Sequence, residues 1–222
     1  VILGEIVDAP YFEYAELKKK VQSYLDSGVQ IVDLGAVAGE NNAEFFIQTL
    51  PKLRKDFDVP FSVDSMNPEE IIAACEAGAK MILSVSFDNF KEIVHSPAVP
   101  KDVPIVLVPI SEKDTSEPEE RYNPENRIGL LMRLGNLMAS HGFTKILLDP
   151  LTNTPIVPGM VSSIEALSLL HRSLLKVPNK DQNGEVYQQP QLFMGIGNVT
   201  ELIDGDSPGI NTLMALIAEE LD

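Results

Sequence analysis

Three aspartates stand where short apolar runs give way to polar sequence: Asp33 in Ile31-Val32-Asp33-Leu34-Gly35, Asp64 in Phe61-Ser62-Val63-Asp64-Ser65, and Asp149 in Ile146-Leu147-Leu148-Asp149-Pro150. A fourth run, Leu192-Phe193-Met194-Gly195-Ile196-Gly197, closes on an amide, Asn198. A carboxylate accepts two hydrogen bonds side by side, so carboxylates gathered at one place suit a flat, donor-rich heterocycle with an amino-amidine edge. The same oxygens suit a divalent cation. A single Asp at a strand end can equally cap the following helix or satisfy loop amides; three on strand ends point to a site. Asn198 follows two glycines, Gly195 and Gly197, which let a ligand approach the backbone closely. Its amide can hydrogen-bond a ring nitrogen, or serve as the turn residue before a helix. Glu5, late in the first apolar run, is a further acid placed to face the same mouth.

An apolar run closed by a polar residue, then a loop, then an amphipathic helix, is how a (β/α) barrel presents a site: the strand bodies are buried and their C-terminal ends carry the chemistry. Strands are expected over residues 1–7, 29–35, 60–64, 81–86 and 103–110, in a run ending at Asp149, and over 191–195. In the helix after the first strand Leu17, Val21 and Leu25 share a face, and Gly28 ends it; the next holds Phe45, Phe46 and Leu50. Asn67-Pro68-Glu69-Glu70 reads as N-cap, proline at N1 and two first-turn acids. Ser111 to Asn126 is an acidic βα loop, either a lid or a surface insertion. Helices follow over 127–141, from a capping box at Ser162-Ser163-Ile164-Glu165, and from Ser207-Pro208 with Leu213, Ile217 and Leu221 on one face. Residues 176–189 form a polar connection on the opposite face of the barrel. The expected class is α/β, a TIM (β/α)8-type barrel filling residues 1–222 as one domain, with its eighth strand outside this chain. The opening Val1-Ile2-Leu3-Gly4, without an initiator Met, suggests an excerpt of a longer polypeptide.

The formal net charge is −16, which argues against nucleic acid and anionic membranes as partners, since both require clustered Lys and Arg. The basic run Lys18-Lys19-Lys20 reads as a solvated helix face. No apolar run reaches membrane-spanning length and no secretory leader is visible, so a cytoplasmic protein is expected. Cys75, the single cysteine, reads as a buried inert thiol. His95, His141 and His171 lack ligand spacing and read as structural.

These motifs resemble the pterin-binding barrel group, the dihydropteroate synthases and the methyltetrahydrofolate–corrinoid methyltransferases. Ser62-Val63-Asp64-Ser65-Met66-Asn67-Pro68 followed by Glu76-Ala77-Gly78-Ala79 is similar to the synthase segment S-V-D-T-x-x-P…E-A-G-A, whose Asp binds the pterin ring. Asp33-Leu34-Gly35 resembles the D-x-G before a mobile synthase loop. Leu148-Asp149-Pro150-Leu151 resembles the segment carrying the second pterin carboxylate. Departures are specific. Where the synthases have I-N-D-V-S this chain has Leu83-Ser84-Val85-Ser86, leaving Ser86, Asn89 or Asp88 as substitute contacts. Val199 occupies the place of the synthase Lys, and Gly197-Asn198-Val199-Thr200 is closer to the methyltransferase S-N-x-S, whose Asn contacts the pterin near N5. Glu5 falls near the Asn of the first synthase loop. Over nearly the whole chain the best likeness is to the longer archaeal dihydropteroate synthase-related proteins.

The resemblance implies a pterin ligand held by Asp64, Asp149, Asn198 and Asp33, with Glu5, Ser86 and Asn89 as additional contacts and Mg²⁺ as an assisting ion. It implies a transferase joining a dihydropterin pyrophosphate to an arylamine in folate or methanopterin biosynthesis, and a homodimer. The alternatives are methyl transfer from a methyl-pterin to a corrinoid protein, and a non-catalytic pterin-binding domain.

Overall fold

The computed structural model describes residues 1–111, 117–156, 159–176, 189–200 and 207–221. Seven strands lie among them, neighbours in chain order. The chain forms two compact units, residues Val1–Ile105 and Val106–Asp222.

In the first unit, β1 (Leu3–Ile6), β2 (Ile31–Gly35), β3 (Phe61–Asp64) and β4 (Met81–Val85) form a parallel ladder. Its register sets Glu5 against Asp33, Asp33 against Ser62 and Gly35 against Asp64. The Ile82 amide donates to the Pro104 carbonyl at the entry to β5 (Ile105–Leu107). Helix α1 (Tyr14–Asp26) buries Leu17 and Val21, and Gly28 ends it at φ +89°, a left-handed conformation that suits glycine. Helix α2 (Ala43–Asp56) buries Phe46, Leu50 and Leu53, spaced on one face. Each such side chain contributes roughly 1.5–3 kcal/mol on burial. Helix α3 (Pro68–Glu76) starts as its sequence dictates: Pro68 stands in the first turn and the Asn67 side chain accepts the Glu69 amide at 2.9 Å. Helix α4 spans Phe90–His95.

In the second unit the Asp149 amide donates to Leu107 of β5 and the Phe193 amide to Leu148, linking β5, β6 (Ile146–Leu148) and β7 (Gln191–Leu192). The β6–β7 pair is parallel. Helices α5 (Pro118–Arg121), α6 (Pro124–Ser140), α7 (Met160–Leu174) and α8 (Ser207–Glu220) complete it. Leu131, Leu134 and Met138 are buried along α6, as their spacing requires.

Several boundaries differ from the sequence reading, each for a physical reason. β5 covers three residues because prolines 104 and 109, without amide hydrogens, bracket it. β7 stops at Leu192, and beyond it the Ile196 amide already turns back to the Met194 carbonyl. The stretch read as a βα loop carries the helical turn α5, and α6 begins at Pro124 behind an Asn123 cap, not at Arg127. The capping box at Ser162–Glu165 does not start a helix. The α7 N-cap is Gly159, and the Ser162 and Ser163 hydroxyls donate back to its carbonyl; the amide that Ser163 accepts is that of Asn153, outside the helix. On α8, Met214 is the buried residue and Leu213 is 59% exposed, so the proposed face is rotated. Most of the connection between residues 176 and 189, and part of the loop after Ser111, lie outside the described residues.

Lys20 lies 4.3 Å from the Phe12 ring centroid, and Lys18 pairs with Asp56 at 2.6 Å, so this basic run serves the α1 surface. The three histidines spend a ring nitrogen on a backbone carbonyl: His95 on Lys91, His141 on Leu137, His171 on Leu221. Among the described residues no helix is long and apolar enough to cross a membrane.

Candidate functional site

Parallel pairing of β1, β2 and β3 brings Glu5, Asp33 and Asp64 together: one carboxylate oxygen from each lies within 4.8 Å of the others. Asp33 does not close its strand. It sits in the middle of β2, fully buried. Its Oδ1 accepts the Ser62 hydroxyl from the neighbouring strand. Its Oδ2 is buried and receives no hydrogen bond. Burial, then the charges of Asp64 and Glu5, push the Asp33 carboxyl well above the ordinary range, against the opposing hydrogen bond from Ser62. Burial also raises Asp64, opposed by a hydrogen bond from the Ser84 hydroxyl. Ser84 stands at φ +64°, a conformation that costs a non-glycine residue energy and is enriched at functional sites. A Cβ on Gly35 would lie 2.7 Å from the Glu5 Oε1, so any larger residue there would displace the Glu5 carboxylate.

A second carboxylate braces this cluster. Glu70 on α3 is 1% exposed and accepts both the Asn42 amide and the Ser65 hydroxyl. Asn42 in turn accepts the Val37 amide at 2.8 Å. The loop after β2 is thereby pinned to the residue following Asp64. Sequence reading took Glu70 for a first-turn acid; nothing local marks it as buried. Ser86 and Asn89, expected as additional ligand contacts, also hydrogen-bond within the turn after β4. Asn89 accepts the Ser86 amide and donates to the Met66 and Ser84 carbonyls, while the Ser86 hydroxyl accepts the Asp88 amide.

In the second unit Asp149 follows β6 directly and is 5% exposed. Its Oδ1 accepts the Leu151 amide at 2.7 Å. Its Oδ2 faces Gly195: a Cβ there would sit 3.5 Å from that oxygen and 3.1 Å from the Asn198 Nδ2. Asp149 and Asn198 therefore converge on Gly195. Asn198 occupies a short 3-10 helix, Ile196–Val199, and the Thr152 hydroxyl donates to the Gly195 carbonyl, tying the two loops together. Arg127 of α6, overlooked in the sequence, is 2% exposed and holds the loop after Asp149 from beneath.

Chemically, each unit offers carboxylate oxygens to hydrogen-bond donors, and the second adds a neutral amide. The three-carboxylate set also suits a hard cation, whose ligands are oxygens, and the unsatisfied Asp33 Oδ2 is the atom that such a partner would engage.

The profile of the pterin-binding enzyme family matches residues 6–178. The chain is 37% identical over 221 residues to the uncharacterized protein MJ0107 of Methanocaldococcus jannaschii, covering 99% of this chain and 39% of that protein. The dihydropteroate synthase of Synechocystis is 26% identical over 100 residues, 41% of this chain and 35% of the synthase. The chain thus spans 39% of the archaeal relative's length, and its match to the synthase covers 35% of that protein. Among solved structures, a Yersinia pestis dihydropteroate synthase bound to a pterin–sulfa conjugate superposes with a TM-score of 0.69 at 18% identity, covering 99% of this chain and 84% of that one. That likeness shows the fold, a TIM-type barrel of which seven strands lie among the described residues. With the family profile covering most of its length, the chain belongs to the pterin-binding enzyme family.

Proposed function

We propose that residues 1–222 form the pterin-binding barrel domain of a cytoplasmic transferase resembling dihydropteroate synthase. The observation that carries this reading is the convergence of Asp149 and Asn198 on Gly195 in a chain of the pterin-binding family. The family resemblance assigns Asp64 and Asp149 to the donors of the 2-amino-pyrimidinone edge and Asn198 to the pyrazine side. Asp33 supplies a further acceptor, its bare Oδ2. In the condensation, the arylamine nitrogen bonds to the pterin methylene carbon, the carbon–oxygen bond to pyrophosphate breaks, and the amine gives up a proton. Where a divalent cation such as Mg²⁺, rather than the ring, takes these oxygens, Glu5, Asp33 and Asp64 would hold it, and it would supply positive charge there.

Methyl transfer from a methyl-pterin to a corrinoid protein is the second reading. It is favoured by Asn198 beside Val199, where a synthase would place its Lys.

Calorimetric titration of the full-length protein with 7,8-dihydropterin, beside an Asp149→Asn variant, tests the reading. Binding by the wild type that the variant loses supports it. No binding by a folded wild type overturns it. Release of pyrophosphate with an arylamine, against demethylation of a methyl-pterin with a corrinoid acceptor, then separates the two reactions.

A further inference from the structure

Arg127 is among the largest side chains that the protein buries completely, and it is a cation in a strongly acidic chain. Its charged group reaches from α6 to the loop after β6. Nη1 donates to the Pro150 carbonyl at 2.8 Å and to the Leu151 carbonyl at 3.1 Å, and Nη2 donates to the Ser162 carbonyl at 2.8 Å, at the start of α7. Leu151 needs such a clamp because its backbone stands at φ +66°, left-handed and unfavourable for a leucine. That conformation directs the Leu151 amide at the Asp149 Oδ1, leaving Oδ2 toward Gly195 and Asn198.

We infer that Arg127 is the positioning residue of the second unit: by fixing the Pro150–Leu151 turn and placing a buried positive charge near Asp149, it holds that carboxylate ionised and aimed toward Gly195. The two charged groups interact: burial lowers the Arg127 guanidinium from its ordinary range, and Asp149 and then Tyr122 work against that shift. By reciprocity, the attraction that favours charged Arg127 favours ionised Asp149. An ionised carboxylate accepts two donors without giving a proton back, which is what an amino-amidine edge requires. Arg127 touches no ligand in this scheme. It acts through Asp149, and its part in pterin binding rests on the reading above.

The test measures the titration of the Asp149 side-chain carboxyl by carbon NMR in the full-length protein, for wild type, Arg127→Met and Arg127→Lys, with 7,8-dihydropterin affinity measured alongside. In Arg127→Met the Asp149 midpoint should rise by at least about one pH unit, equivalent to a tenfold loss of ionised preference. Pterin affinity should then climb with pH through the new midpoint. Arg127→Lys keeps the charge but not the forked donors, so the midpoint should stay within about half a unit of wild type while affinity falls several-fold. An unchanged midpoint in a folded Arg127→Met variant overturns the inference. Should that variant fail to fold, a Lys variant with wild-type affinity overturns it, and one with reduced affinity at an unmoved midpoint supports it. If the wild type binds no pterin, the function reading fails by itself, and the Asp149 midpoints in Arg127→Met and Arg127→Lys still decide the role of Arg127.

Discussion

Asp33→Asn exchanges one oxygen of a buried carboxyl for an NH₂ group and should stabilise the protein at neutral pH. The Asn Oδ1 retains the hydrogen bond from the Ser62 hydroxyl, and the new amide donors take the place of an Oδ2 that receives none. Asp64 and Glu5 place carboxylate oxygens within 4.8 Å of an Asp33 oxygen, so a neutral amide there removes like-charge repulsion and turns donors toward negative charge. Relieving one unsatisfied buried polar group is worth about 1–3 kcal/mol. The pH dependence fixes the sign. Folding raises the Asp33 pKa, so the folded chain holds a proton that the unfolded chain releases from about pH 4 upward. Wild-type stability contributed by this group is therefore full below that pH and declines toward neutrality, by up to about 1.4 kcal/mol per unit, until the folded-state pKa is passed. The variant lacks that decline. Urea unfolding in EDTA, which keeps divalent cations off the cluster, should show little difference near pH 4 and a gain of about 1–3 kcal/mol at pH 7. A variant less stable than wild type at pH 7, or a difference that does not change with pH, would refute the picture of a buried carboxyl under strain from its neighbours.

Two further outcomes follow from the geometry. Gly195→Ala should keep the fold, because its backbone at φ −78° and ψ 81° is open to alanine, yet weaken 7,8-dihydropterin binding by about tenfold or more, since the added Cβ lies 3.1 Å from the Asn198 Nδ2 and 3.5 Å from the Asp149 Oδ2; calorimetry with unchanged affinity would place the ligand elsewhere. Burial, with a small contribution from Glu76, pushes the Cys75 thiol up to about 12, so a thiol-exchange reagent at about pH 8 should leave the native protein unlabelled and react on unfolding in guanidinium; rapid native labelling would contradict the packing of α3.

How far the fold is legible in this sequence depends on where the information sits. Asn67-Pro68-Glu69 writes its own helix start, because cap, first-turn proline and acids act within one turn of chain. The same pattern recurs at Asn123-Pro124-Glu125, where it marks the start of α6. Ser162 to Glu165 carries the letters of a capping box, yet its hydroxyls turn back to Gly159. Hydroxyls have local partners in both directions, and only the entry path of the chain, set here by Gly159 at φ +121°, selects between them.

The sequence by itself determined the alternation of strand and helix, the polar residues at or near the strand ends, and the likeness to pterin-binding barrels, because periodicity and spacing are properties of the chain. Only the tertiary structure decided which acid does what. Register on β1, β2 and β3 draws Glu5 and Asp64 onto a mid-strand Asp33 and strips one of its oxygens of partners. Burial turns Glu70 from a helix-start acid into a brace, and Arg127 from a helix residue into the clamp beneath Asp149. Desolvation and charge proximity depend on neighbours distant in sequence, and no local pattern carries them.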